Sequence, residues 1–376
     1  MSDLATQLAG KRIVVCAGAG GVGKTTVAAA VGLGLAARGA RVAVITIDPA
    51  RRLAEALGIA ELGNRPQAVP AERFQAAGLN IRGDLLAMML DVKGTFDELI
   101  ERLAPSAQSA HAILENRVYR HLSTAVAGSQ EYTAVAKLYE LAVADDYDVI
   151  VLDTPPSRNA VDFLDAPDRL IGFLDAGTAG AFARPAGAAI RAAGFVVAAL
   201  GRIAGTGLLE DLRTFFGLMS GLLEGFHVRA VAVQELLRDP ATGFILVSSP
   251  EREAVDEAIV FARELERWGM HRCAAIVNRV QPLDRADAGV TATTARLVPS
   301  LGPRLAATVA RTHEQVQILA RRDQNALTRL REQLRMKPVC ATDRDADVHD
   351  AIGLVGLHDE LFGFGKVRNG TGASPT

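Results

Sequence analysis

The sequence predicts an α/β fold with a doubly wound, mostly parallel sheet, and two observations lead to that prediction. Short apolar runs of strand length recur along the 376 residues, and longer helical stretches separate most of them. Such alternation is typical of parallel strands that helices cover on both faces. A glycine-rich segment also follows the first run directly, at the kind of strand-to-helix junction where these sheets bind ligands.

The predicted strands are short and apolar. In chain order they are Ile13–Ala17, Val42–Thr46, Leu85–Leu90, Val149–Asp153, Phe244–Ser248, Ala274–Asn278 and Pro338–Cys340. The clearest predicted helices between or after them are Val27–Arg38, Glu251–Trp268, Thr312–Leu334 and Val348–Leu361.

Alternating aspartates up to Asp350 precede the last helix. We interpret them as an acidic helix cap, because the glycine and closing glutamate of a calcium loop are missing.

The glycine-rich segment carries a phosphate-binding pattern. Residues 18 to 26 read Gly-Ala-Gly-Gly-Val-Gly-Lys-Thr-Thr, which satisfies G-x-x-x-x-G-K-[ST] between a strand and a helix. Glycines let backbone N–H groups turn toward a phosphate, and the helix N-terminus adds positive partial charge. The alternative is a glycine-rich turn without a ligand. The pattern predicts a sheet of the P-loop NTPase type, with nucleotide-binding residues Gly20, Gly21, Val22, Gly23, Lys24, Thr25 and Thr26.

Three side chains are predicted to act on the phosphates and their metal ion. Lys24 is expected to reach the β- and γ-phosphates, and the Thr25 hydroxyl is expected to bind Mg²⁺. Asp153 ends a buried strand, so we expect it to bind the same Mg²⁺ through a water molecule. The loop Thr154–Ser157 that follows could respond to the γ-phosphate. The alternative for Asp153 is a carboxylate that only caps the end of its strand.

Asp48 is the predicted catalytic carboxylate, acting with Lys24. It follows the second strand in Thr46-Ile47-Asp48-Pro49-Ala50. A carboxylate there can orient the attacking water in line with the phosphoryl group. The alternative is that Asp-Pro only initiates a turn before the helical stretch Arg51–Leu57.

Composition and charge limit which other ligands and which cellular compartment the sequence predicts. The net charge of −2 gives no electrostatic argument for a nucleic-acid partner. Cys16, Cys273 and Cys340 share no close spacing and lie in or beside predicted strands, so we expect free buried thiols and no zinc site. Free thiols favour a reducing, cytoplasmic compartment, and residues 1–10 do not resemble a secretion signal.

Four segments resemble the arsenite-pump and tail-anchored-protein-targeting branch of the deviant phosphate-loop ATPases. They are Gly20–Thr26, Thr46–Ala50, Asp153–Ser157 and the strand-end Asn278, in the family's order. The resemblance implies ATP as the nucleotide, water positioning by Asp48 and adenine contact by Asn278, which could instead be a turn former. Pro338 is assigned to the nucleotide site as well. Thr46–Leu53 and Gln130–Tyr132 add a similarity to actinobacterial paired ATPases.

One departure from that family concerns the dimer. Members carry a signature lysine before the Gly-Gly pair that reaches the partner's nucleotide, whereas this chain has Ala19. A homodimer should therefore hydrolyse ATP slowly, unless Arg51, Arg52 or Arg158 supplies the charge. The alternative is a heterodimer with a related ATPase chain that carries the lysine. The family's Cys-x-x-Cys zinc clamp is also missing after Asn278.

The remaining sequence predicts two domains and a tail. Residues 1–95, 143–165 and 238–362 form the predicted P-loop ATPase domain, residues 96–142 and 166–237 an apolar helical subdomain, and residues 363–376 a disordered tail. In the resembling family this subdomain forms a groove for a client transmembrane helix. The alternatives are ordinary packing and an interfacial membrane helix.

The predicted function is a dimeric ATPase switch that couples nucleotide state to the apolar subdomain. Its expected partner is a hydrophobic helical client or a membrane protein. Two other functions stay open, namely the motor subunit of an anion pump and a weakly hydrolysing regulatory subunit of a heterodimer. Ala19 supports the regulatory subunit.

Overall fold

The computed structural model describes residues 4–47, 52–122, 129–154, 208–284, 289–344 and 348–363. Within them, eight strands form one sheet in the order β3-β4-β2-β5-β1-β6-β7-β8. The strands are β1 (Ile13–Ala17), β2 (Arg41–Thr46), β3 (Gln67–Ala68), β4 (Asp84–Met89), β5 (Val149–Asp153), β6 (Thr242–Ser248), β7 (Arg272–Val280) and β8 (Val339–Thr342). All neighbours pair in parallel except β3 with β4, which confirms the mostly parallel α/β sheet.

Helices flank the sheet and form a separate cluster beside it. They are α1 (Leu4–Leu8), α2 (Lys24–Ala37), α3 (Arg52–Leu57), α4 (Glu72–Ala76), α5 (Val92–Leu103), α6 (Ala107–Leu114), α7 (Arg117–Leu122), α8 (Ser129–Ala144), α9 (Leu208–Ser220), α10 (Leu223–Arg238), α11 (Arg252–Arg267), α12 (Gly289–Leu334) and α13 (Ala351–Phe362). The predicted acidic cap is confirmed at Asp350, whose side chain accepts a hydrogen bond of 2.7 Å from the Gly353 N–H.

Apolar side chains cover the sheet on both faces, because successive residues of a strand point to opposite sides. In β1, Val14 and Cys16 pack into a core with α1, α2, α3 and α13. Ile13, Val15 and Ala17 pack into a second core with α8, α10, α11 and α12. Burial of each such aliphatic side chain contributes roughly 1.5–3 kcal/mol to folding. The central strands are therefore continuous apolar runs, which is why the sequence pattern identifies them.

A third core belongs to the helical part of the chain. Buried aromatic and aliphatic side chains from all six helices α5 through α10 form this core. Within it, the ring centroids of Phe96 in α5 and Phe226 in α10 lie 6.0 Å apart. Phe215, Phe216 and Phe226, which the sequence places in the apolar subdomain, are all buried in this cluster. The predicted apolar stretch between residues 164 and 207 lies outside the described residues.

Helix α12 is much longer than its predicted extent of Thr312–Leu334. It spans Gly289–Leu334 and is interrupted at Gly302, where φ is 73° and ψ is 164°. Pro299 and Pro303 flank the interruption. Prolines normally indicate that a helix ends, so the sequence does not predict the part of α12 that precedes Gly302.

No single helix among the described residues has the length and apolar character of a membrane span. One pair, Thr214–Ser220 with Leu223–Arg238, reaches that threshold only when joined, and the two helices are bent by 58°.

Candidate nucleotide site

A cavity of about 630 Å³ opens where the phosphate-binding loop meets α2. Its volume lies within the range of about 300–1,000 Å³ that is usual for small-molecule sites. The lining residues are Gly21, Gly23, Lys24, Thr25, Thr26, Arg52, Glu55, Thr154, Arg279, Val348 and His349. Five of the predicted nucleotide-binding residues therefore border one cavity, as the motif predicts.

The loop backbone depends on glycine at two kinds of position. Gly21 and Gly23 have φ values of 79° and 91°, which lie in the left-handed region that favours glycine. At Gly18 the constraint is space, because an added Cβ would lie 1.9 Å from the carbonyl oxygen of Val247. The end of β6 therefore holds the start of the loop, and α2 begins at Lys24 with backbone N–H groups that its own first turn leaves unpaired.

Lys24 is buried within the loop. The residue is 6% exposed, and its Nζ donates a hydrogen bond of 2.9 Å to the carbonyl oxygen of Ala19. Because Lys24 also lines the cavity, the ammonium group lies where a phosphate bound by the loop would be close to it. Ala19 itself is 8% exposed.

Asp153 joins three segments of the chain at one buried oxygen. The hydroxyl of Thr25 donates to Asp153 Oδ2 over 2.7 Å, and the hydroxyl of Thr46 donates to the same atom over 2.8 Å. Asp153 is 1% exposed. Hydroxyl and carboxylate oxygens are the ligands that Mg²⁺ takes beside nucleotide phosphates. The residues present therefore fit the predicted metal ion, and the structure brings Thr25 and Asp153 together.

Asn278 lies against the loop from the other side. Its Nδ2 donates a hydrogen bond of 3.1 Å to the carbonyl oxygen of Val22, and an added Cβ on Gly23 would lie 2.4 Å from the same nitrogen. Asn278 thus holds the loop in place, and adenine contact by Asn278 stays a prediction.

Arg279 is a cavity residue that sequence reasoning missed. It follows Asn278 at an irregularity in the pairing of β7 with β8, and its φ of 59° is uncommon for a residue with a side chain. Such irregularities re-aim side chains and are frequent beside functional sites. Its position next to Asn278 was the only signal in the sequence, since the pairing with β8 cannot be read from β7 alone.

Several predicted residues have no structural account. Asp48, Arg51, Arg158 and the residues from 155 to 157 lie outside the described residues. Pro338 is buried directly before β8 and is not among the residues that line this cavity. Arg52 does line the cavity, as one of the cations predicted to lie beside the switch loops.

The expectation of three buried thiols is wrong for Cys340. Cys16 is buried in β1, Cys273 is partly buried, and Cys340 is exposed because β8 lies at the edge of the sheet. Burial raises the pKa of the Cys16 thiol well above its usual value and raises the pKa of Cys273 to about 11.

Thiol labelling should therefore discriminate among the cysteines. A raised pKa lowers the thiolate fraction at any pH below it, and only the thiolate is nucleophilic. Partial desolvation also raises the pKa of the Cys340 thiol, so accessibility is the main difference between Cys340, which is exposed, and Cys16, which is buried. We expect iodoacetamide at pH 8 to modify Cys340 slowly in the native protein, while Cys16 reacts only after unfolding. Mass spectrometry of labelled peptides measures both rates. Equal labelling of Cys16 and Cys340 in the folded protein would contradict the described burial.

Known proteins resemble this chain over most of its length. Residues 11–297 match the family described as anion-transporting ATPase. The chain is 27% identical over 281 residues to the putative arsenical pump-driving ATPase 1 of Aquifex aeolicus, covering 72% of this chain and 64% of that protein. It is 26% identical over 270 residues to the ATPase GET3 of Malassezia globosa, covering 71% of this chain and 72% of that protein.

A mycobacterial relative adds to these matches. Over 166 residues the chain is 28% identical to the ATPase BagA of Mycobacterium tuberculosis, an alignment that covers 43% of this chain and 47% of that protein. The family match covers more than half of the chain and includes the whole phosphate-binding loop, with Thr25, Thr46, Asp153 and Asn278. The chain therefore belongs to the anion-transporting ATPase family.

Proposed function

We propose that this chain binds and hydrolyses ATP with Mg²⁺ and works as a dimeric switch. The observation that carries the proposal is the contact of Thr25 with Asp153 at the start of α2, beside the cavity that Lys24 lines. A motif hydroxyl, a strand-end carboxylate and a buried cation together form a site for a nucleotide phosphate and its metal ion. The family membership and the ATPase names of the relatives support the same activity.

Each group has a separate part in the proposed reaction. Loop N–H groups and Lys24 bind the phosphates, and Lys24 stabilises the negative charge that develops on the leaving phosphate oxygen. Thr25 and Asp153 hold Mg²⁺, which when bound neutralises charge on the phosphate oxygens. Asp48 orients the water and accepts its proton as the oxygen attacks the γ-phosphorus. The bond from that phosphorus to the β,γ-bridging oxygen breaks, and the products are ADP and phosphate.

The proposed dimer lacks one cation that related dimers use. Ala19 stands at that position, and its carbonyl oxygen accepts the hydrogen bond from Lys24. Arg52 and Arg279 also line the cavity and are the described arginines best placed to act on a nucleotide there. A heterodimer with a sister chain that carries the lysine is the second candidate, and the buried alanine favours it. The homodimer predicts slow hydrolysis by the chain alone, whereas the heterodimer predicts that the chain alone binds ATP without turnover.

The switch is proposed to act on a hydrophobic helical client or on a membrane protein. This proposal rests on the apolar composition of residues 164–237 and on the relative named GET3. The described aromatic side chains of α9 and α10 are buried in their own core, whereas Val228 and Val231 of α10 are exposed. The motor of an anion pump is the competing function, in line with the name of the Aquifex relative.

Hydrolysis by the purified chain, with its mass recorded in the same samples, tests the proposal. We expect slow ATP turnover that Asp48→Asn reduces roughly 10²-fold or more, because a general base contributes about 10²–10⁴ in rate. Nucleotide affinity should stay within about twofold, since Asp48 acts on the water and not on the phosphates. Asp84→Asn, an exposed carboxylate at the start of β4, is the matched control.

The outcomes separate the two assemblies. Turnover by an ATP-bound dimer of this chain supports the homodimer. Tight ATP binding without turnover, restored by a sister chain that carries the lysine, supports the heterodimer. If the chain binds no ATP, or if Asp48→Asn hydrolyses as fast as the unchanged chain, the proposed chemistry is wrong.

A further inference from the structure

Thr46 has no part in the phosphate-binding motif, yet its hydroxyl donates to the same Asp153 oxygen as Thr25 does. It is the last residue of β2 and is 2% exposed. We propose that Thr46 is a positioning residue, which orients the Asp153 carboxylate for Mg²⁺ and ties that carboxylate to the end of β2. This inference rests on the proposed function, because it assumes that the site binds Mg²⁺ with ATP.

Sheet register makes the contact between Thr46 and Asp153 direct. β2 and β5 are adjacent parallel strands, and Thr46 is the register partner of Asp153. Their side chains therefore leave the sheet at the same level and on the same side. The contact follows from the backbone pairing, so it does not depend on a long or adaptable side chain.

Two donors on one oxygen restrict the carboxylate more than one donor does. With Thr25 alone, the carboxylate could turn about its χ2 torsion, which is a broad and soft rotation. The second hydrogen bond from Thr46 restrains that torsion further. Because Asp153 is 1% exposed, bulk water cannot replace a donor that is removed. Groups that orient metal-binding side chains in this way typically change metal affinity 10- to 100-fold when mutated.

The backbone of Thr46 is held at the end of β2 as well. Its carbonyl oxygen accepts a backbone hydrogen bond of 2.8 Å from the Leu90 N–H, while its side chain is bonded to Asp153. The end of β2 is thus held by β4 on one side and by the metal-site carboxylate on the other. The proposed water-orienting residue follows only two positions later.

The competing explanation is that the hydrogen bond only satisfies a buried hydroxyl. A purely structural role predicts that loss of the hydroxyl changes stability and leaves Mg²⁺ dependence unchanged. The positioning role predicts a change in Mg²⁺ dependence itself. Thr46→Val removes the hydroxyl and keeps the shape, whereas Thr46→Ser keeps the hydroxyl.

The test measures binding of a fluorescent ATP analogue across a series of Mg²⁺ concentrations, without reference to turnover. For Thr46→Val we expect the Mg²⁺ concentration at half-maximal binding to rise about tenfold, with unchanged binding in EDTA. Thr46→Ser should stay within about twofold of the unchanged chain, because its hydroxyl can still donate. Thr242→Val is the matched control, since Thr242 is a buried strand threonine whose hydroxyl bonds to the Leu236 carbonyl.

Three results would overturn the inference. They are an unchanged Mg²⁺ dependence in Thr46→Val, a parallel loss of binding with and without Mg²⁺, and an equal defect in Thr46→Ser. Circular dichroism checks folding, and Thr46→Ala takes the same test if the valine variant does not fold. If the unchanged chain itself shows no Mg²⁺-dependent ATP binding, the proposed function fails first, and the inference fails with it.

Discussion

Replacing Lys24 with alanine is expected to lower ATP turnover by roughly 10²–10³-fold, the usual cost of removing one donor that stabilises transition-state charge. Lys24 is 6% exposed, and its ammonium group is already held at the loop by the Ala19 carbonyl, so it acts without first being ordered or desolvated. The measurement is kcat under saturating ATP and Mg²⁺. Lys93→Ala is the control, because Lys93 forms a surface ion pair with Asp97 on α5.

Arginine at the same position separates charge from shape. The guanidinium is larger and planar, and Lys24 occupies a buried position whose geometry suits a compact ammonium group. We therefore expect Lys24→Arg to lose most of the turnover as well. If Lys24→Ala keeps turnover within about twofold of the unchanged chain, catalysis does not depend on this loop. Removal of a charge that stabilises the transition state would lower turnover far more than twofold.

Gly18→Ala is expected to destabilise the protein by about 1–3 kcal/mol or more, the range for forcing extra volume into a packed region. The added Cβ would lie 1.9 Å from the Val247 carbonyl oxygen, and a backbone atom in a central strand cannot move aside as a flexible side chain can. The apparent melting temperature without nucleotide should fall by several degrees. ATP affinity should fall as well, because any relief of the clash shifts the loop.

Gly20→Ala is the matched control for the clash. Nothing lies within 4 Å of the Cβ that this substitution would add. We therefore expect its melting temperature without nucleotide to equal that of the unchanged chain. If Gly18→Ala and Gly20→Ala melt at the same temperature, close approach of β6 to the loop does not determine stability here.

The sequence predicts the centre of the fold well because parallel strands buried on both faces must be apolar throughout. β1 and β5 therefore begin and end at the predicted residues. β3 has no such signal, since its two residues are exposed at the sheet edge. The part of α12 before Gly302 is not predicted for a different reason. Pro299 and Pro303 indicate helix ends in a region that is in fact helical on both sides of Gly302.

The candidate site is predictable where local sequence determines it. The loop and Asp153 follow from a motif and from a carboxylate at a strand end, and the structure places Thr25 and Asp153 in contact. Thr46 and Arg279 depend on which strand lies beside which, a property of the whole sheet that no segment encodes alone. Exposure of Cys340 has the same origin, because the place of β8 at the edge is a matter of topology.

The close approach of β6 to Gly18 affects the order in which the site can form during synthesis. The phosphate-binding loop leaves the ribosome early, but its backbone rests on Val247, and its outer side is held by Asn278. Both contacts come from strands made more than 200 residues later. Domains fold as units once their parts are present, so a growing chain carries the loop sequence long before it can retain a nucleotide. Nucleotide can stabilise the completed fold by mass action, but it finds no complete site on the first half of the chain during synthesis.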